Sequence, residues 1–388
     1  MRVALNLEQL LQDPPGGIGR YTAELARLLP QPGADDEDIE LVAFVARHRR
    51  KSISRAVAAF GLFGLEPIRF PLPRPVLYDS WHLLGMPSLQ SMHSAFRGID
   101  VVHAPSVAVP PRSDAALVVT VHDAATELLP ETFPRRGLVF HRRGMLAAHR
   151  RADLVIVSTA AAAEEVVAHS ALTMDQIRIV HHGTSQVVAG DGVVRAARST
   201  AGLGERPYVL WVGTREPRKN LTALLEAFQA VVRTHDLPHS LAIVGPKGWL
   251  HTDEAEQGHA EALGDRVRFL GPVRADRLVA LYRGADLLAF PSLHEGFGLP
   301  VVEAMAQETA VVCSDIPVLR EVGGDAARYV SPTDPEAWGE TLIELLRDDR
   351  ARSALARAGK VRAAEFSPER FVANTLAVYR EAIALRHS

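Results

Sequence analysis

Short apolar runs alternate with helix-like runs along almost the whole chain, and that alternation restricts the fold more than any other feature. Strand-like segments fall at residues 2–7, 39–45, 100–103, 117–121, 153–157 and 177–180, and again at 208–213, 241–244, 267–270, 286–290 and 309–313. Helical runs follow several of them, at about 20–29, 136–151, 160–169, up to 233, 299–307, and after Pro335 and Pro368, with a mixed helical stretch at 79–96. Strands separated by a helix cannot pair as hairpins, so the pattern predicts α/β architecture with mostly parallel sheets and helices on both faces. At 388 residues the chain is too long for one ordinary domain. The boundaries expected are 1–190 for an N-terminal Rossmann-like domain, 191–206 for a linker in a stretch rich in Gly, Ala, Ser and Thr, and 207–366 for a second Rossmann-like domain. A last helix occupies 367–388.

Composition narrows the function. A net charge of −3 argues against general nucleic-acid binding. The single cysteine, Cys313, sits in an apolar run, which predicts a buried strand thiol and suits a reducing cytoplasm. Met1–Leu5 starts a short strand rather than the apolar core of a secretory signal, and no run approaches the ~20 apolar residues of a membrane span. A soluble cytoplasmic protein is expected.

The chemistry concentrates in His294-Glu295-Gly296-Phe297-Gly298-Leu299-Pro300-Val301-Val302-Glu303, between a strand and a helix. Gly296 and Gly298 permit backbone conformations and close approaches that other residues avoid. Pro300 fits a first helical turn. Free N–H groups at the helix start suit an anion or polar oxygens. Glu295 and Glu303 flank this loop, and carboxylates accept paired hydrogen bonds from a sugar diol. Upstream, Tyr208–Gly213 reads as a buried strand running into Thr214-Arg215-Glu216-Pro217-Arg218-Lys219-Asn220, where cations and N–H donors meet as a diphosphate requires.

The E-x7-E pattern with Gly-Phe-Gly inside it closely resembles the donor-site motif of retaining GT-B glycosyltransferases, and most closely of family 4 (group 1), which includes bacterial mannosyl- and glucosyltransferases. Gly213, Arg215, Lys219 and Asn220 are similar to that family's Gly-x-Arg-x-x-x-Lys-Asn motif at full spacing. The resemblance implies a GT-B fold, two Rossmann-like domains facing a cleft, with the acceptor on the first, the nucleotide sugar on the second, and the last helix crossing back to the first. It implies that Arg215 and Lys219 hold the donor diphosphate in place of a metal, and that Glu295 and the backbone of Gly296, Phe297, Gly298 and Leu299 hold the hexose and phosphate. Glu303 then accepts from the ribose, and Val273 lies near the base. A Gly-Gly loop after the first strand often meets the donor diphosphate in such enzymes, which points to Gly16 and Gly17. His122, at the end of the strand Leu117–Val121, looks like the family's histidine that contacts the donor sugar.

The reaction implied is metal-independent transfer of a hexose, with retention, to a hydroxyl of a saccharide or glycolipid, as in polysaccharide biosynthesis. No cofactor is expected. Pro130-Glu131-Thr132-Phe133 resembles a stretch frequent in mannosyltransferases, so GDP-mannose is the donor favoured and UDP-glucose the alternative. Paired carboxylates also suit a glycosidase, but Glu303 is better placed for a ribose. A sugar-nucleotide epimerase and a non-catalytic partner with this fold remain as rivals. A dinucleotide enzyme is disfavoured because the first loop does not fit G-x-G-x-x-G.

One helix carries Arg136, Arg143 and Arg150 at spacing seven, with Arg135, Arg142 and His149 alongside, a basic stripe about 20 Å long. A second cluster runs from Arg47 to Lys51. A solvated face is the plainer reading of the stripe. Peripheral contact with anionic headgroups at the inner face of a membrane is the functional one.

Overall fold

The computed structural model describes residues 1–12, 16–29, 38–248 and 254–387. Asp13 to Pro15, the front of the first glycine loop, lie outside them. Among the described residues the chain forms two parallel sheets. The first holds β1 (Arg2–Asn6), β2 (Glu40–Val45), β3 (Ile68–Arg69), β4 (Val101–Ala104), β5 (Ala116–Thr120), β6 (Leu154–Val157) and β7 (Ile177–Ile179) in the order β3-β2-β1-β4-β5-β6-β7. The second holds β8 (Tyr208–Val212), β9 (Ser240–Val244), β10 (Val267–Gly271), β11 (Leu287–Phe290), β12 (Ala310–Ser314) and β13 (Arg328–Val330) in the order β10-β9-β8-β11-β12-β13. Every pairing is parallel.

The strands form where the sequence is richest in β-branched and other apolar residues, because both faces of a parallel sheet are covered. In β8 the two faces separate cleanly. Tyr208, Leu210 and Val212 enter one core with Leu288, Phe290 and Cys313, while Val209 and Trp211 enter the other with Leu287, Ala289 and Trp338. Burial raises the Cys313 thiol far above its ordinary range, so it stays protonated in the core of the sheet.

The chain divides into two compact units, one made of Met1–Glu127, Arg135–Gly183 and Pro368–Ser388, the other of Leu128–Pro134 and Thr184–Ser367. The helix Pro368–His387 thus belongs to the first unit, where Phe371, Leu376, Val378 and Tyr379 share a core with Val3, Leu5 and Tyr21. The expected linker at 191–206 is corrected. Asp191–Thr200 is a helix of the second unit, and Ala197, Ala201 and Leu203 pack into its core. Small polar residues there suggest a loop, but the apolar face of this stretch packs into a core beside the helix Ala275–Arg283. The sequence also passed over the helices Arg50–Ala59, Ala275–Arg283, Pro317–Gly323 and Asp349–Ala363. The first begins inside the Arg47–Lys51 cluster, where charge masks its periodicity.

Order is reversed between β1 and β4 in one sheet and between β8 and β11 in the other. Ligands of open α/β sheets bind beyond the carboxyl ends of strands at such reversals. At the second reversal the backbone is packed tightly. Gly213 N–H donates to Val244 O at 3.0 Å, Arg215 N–H to Pro246 O at 2.9 Å, and Gly248 N–H to Arg215 O at 3.0 Å. Gly245 has φ +137°, and a Cβ there would lie 1.8 Å from the Gly213 carbonyl oxygen. Gly245→Ala is therefore expected to destabilise the protein by about 3 kcal/mol or more, through strain and steric overlap together. Urea denaturation of the two proteins checks this, and an unchanged midpoint refutes it.

Candidate active site

The second unit gathers its charged groups on the loops after β8 and β11. After β8 the chain makes a short 3-10 turn, Pro217–Lys219, and reverses at Asn220, which takes the left-handed conformation (φ 53°) that asparagine tolerates better than most residues. The Asn220 side-chain amide donates to Pro291 O at 3.1 Å and Pro332 O at 2.7 Å. Leu293 N–H donates to Arg218 O at 2.8 Å, and the Arg218 guanidinium to His294 O at 2.8 Å. These bonds tie the β8 loop to the β11 loop and fix where their side chains meet.

The Lys219 ammonium meets a Glu295 oxygen at 2.5 Å, and Arg218 Nη1 lies 3.6 Å from the other. Arg218 also pairs with Glu216 at 2.9 Å. All four side chains are largely buried. Burial pushes the Glu295 carboxyl up, but the charges of Lys219 and Arg218, with hydrogen bonds from Lys219 and Ser292, outweigh it and hold the group below the usual carboxylate range. Glu295 is a carboxylate at neutral pH, aimed at two cations.

Beyond Glu295, Gly298 sits at the N-cap of the helix Leu299–Ala306 with φ 90°, and a Cβ on it would fall 2.5 Å from Leu319 Cδ2. Glycine suits that φ, and it turns the chain into the helix, whose Val301 N–H donates back to Gly298 O at 2.9 Å. Pro300 occupies the first turn. Leu299 is half-buried against the core, and the Phe297 ring lies within it, edge-on to Phe366 at 5.6 Å, so Phe297 offers a ligand its backbone alone. Glu303, one turn into the helix, accepts from the buried Tyr282 hydroxyl at 2.8 Å. Val273 follows β10, half-buried against the same core.

Arg215 has local partners of its own. Its guanidinium pairs with Glu256, buried like itself, and lies over the Phe269 ring with 4.5 Å from Cζ to centroid. Arg218, which the motif spacing left unremarked, is the arginine that the structure brings to Glu295. Its neighbour relation to Lys219 was visible, but only the turn at Asn220 directs both cations to one carboxylate.

In the first unit, Gly16 is the N-cap and Gly17 the first residue of the helix Gly17–Leu28, earlier than the start near Arg20 read from the sequence. Arg20 N–H donates to Gly16 O at 3.2 Å, and a Cβ added at either glycine would meet nothing within 4 Å among the described residues. At the end of β5, His122 is half-buried and its Nε2 meets Pro105 O at 2.9 Å. Its ring stacks on His182 (centroids 5.8 Å, planes 7° apart), and Tyr21 packs edge-on to both at 5.0 and 4.8 Å. His182 is the second of two adjacent histidines, His181 and His182. It lies past the end of β7 and turns inward. Beneath, Tyr21 and His103 both bond the Thr120 hydroxyl at 2.8 Å, and His103 Nδ1 bonds the Tyr379 hydroxyl at 2.6 Å. Burial lowers the pKa of His122, His103 and His182, that of His103 to about 3. All three are neutral at neutral pH, and His103 has both ring nitrogens bonded within the core. Among the described residues no three His, Cys, Asp or Glu side chains converge as metal ligands.

Two all-parallel α/β units, one carrying buried cations and carboxylates at its strand-order reversal, define the chain as a GT-B glycosyltransferase fold. Sucrose-phosphate synthase from Thermosynechococcus elongatus matches it with TM-score 0.73 at 20% identity over 99% of both chains. HepE from Anabaena, solved with UDP and glucose, matches with TM-score 0.73 at 18% identity over 98% of this chain and all of that one. By sequence, residues 15–185 match the model for Glycosyltransferase Family 4 and residues 195–362 that for glycosyl transferases group 1. The O-antigen chain mannosyltransferase B of Escherichia coli is 28% identical over 95% of this chain and 96% of its own. A D-inositol 3-phosphate glycosyltransferase of Xylanimonas cellulosilytica is 31% identical over 71% of this chain and 68% of its own. The chain belongs to the group 1, family 4 glycosyltransferases, and is a hexosyltransferase by class.

The buried histidines carry a pH signature. Above about pH 6.5 an unfolded histidine is neutral, as folded His103 is. Below it the unfolded chain takes up a proton that His103 refuses until about pH 3, so stability is lost across that window as pH falls. His103→Gln is expected to lower stability at pH 7.5 by about 1–3 kcal/mol, because the Tyr379 and Thr120 hydroxyls lose a buried partner. The fall in Tm between pH 7 and 4.5 should be shallower than in the parent. Parallel Tm–pH curves would refute it.

Proposed function

We propose that the protein transfers a hexosyl unit from a nucleotide-diphosphate sugar to a hydroxyl of a saccharide or lipid-linked saccharide, with retention and without a metal. GDP-mannose is the donor favoured and UDP-glucose the alternative. The observation that carries the reading is the meeting of Lys219 and Arg218 on Glu295, three residues before the helix N-cap Gly298. A departing nucleoside diphosphate accumulates negative charge, and two cations fixed in a poorly hydrated site stabilise it without reorganising. Helix amides at Leu299 add to that field. Glu295, kept ionised, accepts from hexose hydroxyls, and Glu303, oriented by Tyr282, accepts from the ribose. Neutral His122 bonds the donor sugar, with its ring held by His182 and Tyr21. Gly16 and Gly17 offer first-turn amides to the diphosphate, and Val273 lies by the base.

Arg215 keeps a part in this reading as a third cation, held by Glu256 and the Phe269 ring rather than at Glu295, which makes it the weaker contributor. The full-length likeness to an O-antigen chain mannosyltransferase supports mannose and a role in polysaccharide assembly. The D-inositol 3-phosphate glycosyltransferases support an acceptor hydroxyl close to an anionic group.

The primary test is calorimetry or thermal shift with GDP, UDP and ADP and their sugar conjugates, with EDTA present. Stabilisation by guanine nucleotides above the others is expected. Binding of none, with magnesium restored, overturns the donor site. Lys219→Ala and Arg218→Ala are expected to lower kcat by about 10²–10³, and Arg215→Ala by less. A larger loss at Arg215 than at Arg218 returns the diphosphate to Arg215. Glu295→Gln is the cleaner probe of the carboxylate than Glu295→Ala, which leaves two buried cations facing a void. It should abolish turnover with the parent's circular dichroism retained, while Tm falls because Lys219 loses its buried counter-charge, and full activity would sink the assignment.

A further inference from the structure

We propose that Tyr21 and His182 are positioning residues that hold His122 as its Nε2–H tautomer, which leaves Nδ1 as a hydrogen-bond acceptor for a hydroxyl of the donor hexose. The inference rests on the reading of His122 as a sugar-binding residue. It adds the atom through which His122 acts and the side chains that fix that atom in place.

The tautomer follows from one contact. His122 Nε2 lies 2.9 Å from Pro105 O. A peptide carbonyl only accepts, so Nε2 carries the hydrogen. Burial lowers the His122 pKa against the opposing Pro105 bond and Asp123 charge, with His141 adding to the fall, and the ring is neutral at neutral pH. A neutral imidazole has one N–H, so Nδ1 keeps its lone pair. Among the described residues Nδ1 has no hydrogen-bond partner. Such a nitrogen takes an O–H and repels carboxylate and phosphate oxygens. A hexose hydroxyl suits it, and the diphosphate does not.

Two rings set the plane of that imidazole. His182 lies parallel to it within 7°, and Tyr21 stands at 87° to both. Phe371 backs Tyr21 at 5.6 Å and His182 at 6.3 Å between centroids. Tyr21 is 3% exposed and His182 6%, so neither turns toward water without opening the core. Tyr21 is fixed in turn at its hydroxyl, which bonds the Thr120 hydroxyl, then His103, then Tyr379 on the last helix. Packing alone does not explain this chain. A phenylalanine in place of Tyr21 would fill the same space with no polar atom to satisfy, and a buried hydroxyl without its partner is costly. The hydroxyl is accounted for if the ring has to keep one orientation, and His122 and His182 are what that orientation serves.

The test has two readouts on the full chain. The first is a long-range proton–nitrogen correlation spectrum of histidine-labelled protein at neutral pH, with the His122 signals assigned by their loss in His122→Ala. The Nε2–H tautomer is expected in the parent and a mixture of tautomers in Tyr21→Leu and His182→Leu. An Nδ1–H tautomer or an imidazolium in the parent overturns the proposal. The second is calorimetry of GDP-mannose against GDP, or of UDP-glucose against UDP where the uracil nucleotide binds. His122→Ala should lower the ratio of the two affinities by roughly fivefold, as loss of one neutral hydrogen bond does. Tyr21→Leu and His182→Leu should each lower it by about twofold or more, and Tyr21→Phe, which keeps the ring, by less. Added to His122→Ala, neither should lower it further, because all act through one imidazole. An unchanged ratio in both leucine variants, or losses that add to that of His122→Ala, overturns the proposal. An equal fall for the bare nucleotide shows a general structural role and overturns it too. Failure of the underlying reading looks different: His122→Ala keeps the parent's ratio, or no nucleotide binds at all, and the hexose ligand then falls whatever the spectrum shows.

Discussion

A parallel strand must be followed by a crossover before its neighbour can begin, and the rest of this molecule follows from that requirement. Each crossover brings a helix or loop over the sheet, so strands are buried on both faces and become continuous apolar runs. Each also leaves the carboxyl ends of the strands on one edge, with a loop at every end. Ligands of such sheets bind where strand order reverses, here between β8 and β11. The site of the second unit stands on the loops of those two strands.

Close backbone packing makes that edge rigid. The carbonyl of Gly213 occupies the space a side chain at Gly245 would need, and Asn220 locks the β8 loop to Pro291 and Pro332. Rigidity matters because two cations and two carboxylates are held there largely out of water. Such a group is costly to assemble and costly to break, since loss of one member leaves another charge unpaired. Its use to a glycosyltransferase is that the field is already oriented when a diphosphate begins to leave.

The first unit solves a different problem with neutral groups. Tyr379, on the last helix, reaches His103, then Thr120, then Tyr21, whose ring edge supports His122 and His182. Burial keeps these imidazoles uncharged, so the chain of bonds works without counter-ions. It also gives the last helix a polar anchor in the sheet in addition to its apolar contacts.

The sequence by itself determined the α/β class, nearly all of the long strands, the E-x7-E loop and its helix, and the family. Those features are written in local periodicity, in glycine and proline at a turn, and in spacings that survive in one dimension. Helix Asp191–Thr200 was not legible, because its small residues read as a loop until a neighbouring core claims one face. The partners of the charged groups were decided by tertiary structure alone. Arg215 and Arg218 look equally available in the sequence, yet the β8 turn sends one to Glu256 and Phe269 and the other, with Lys219, to Glu295. His182 lies past the end of β7, where the alternation of strand side chains no longer applies, and it turns inward onto His122. An ion pair or a ring stack depends on where two distant segments meet to within an ångström or two, and no pattern along one segment carries that distance.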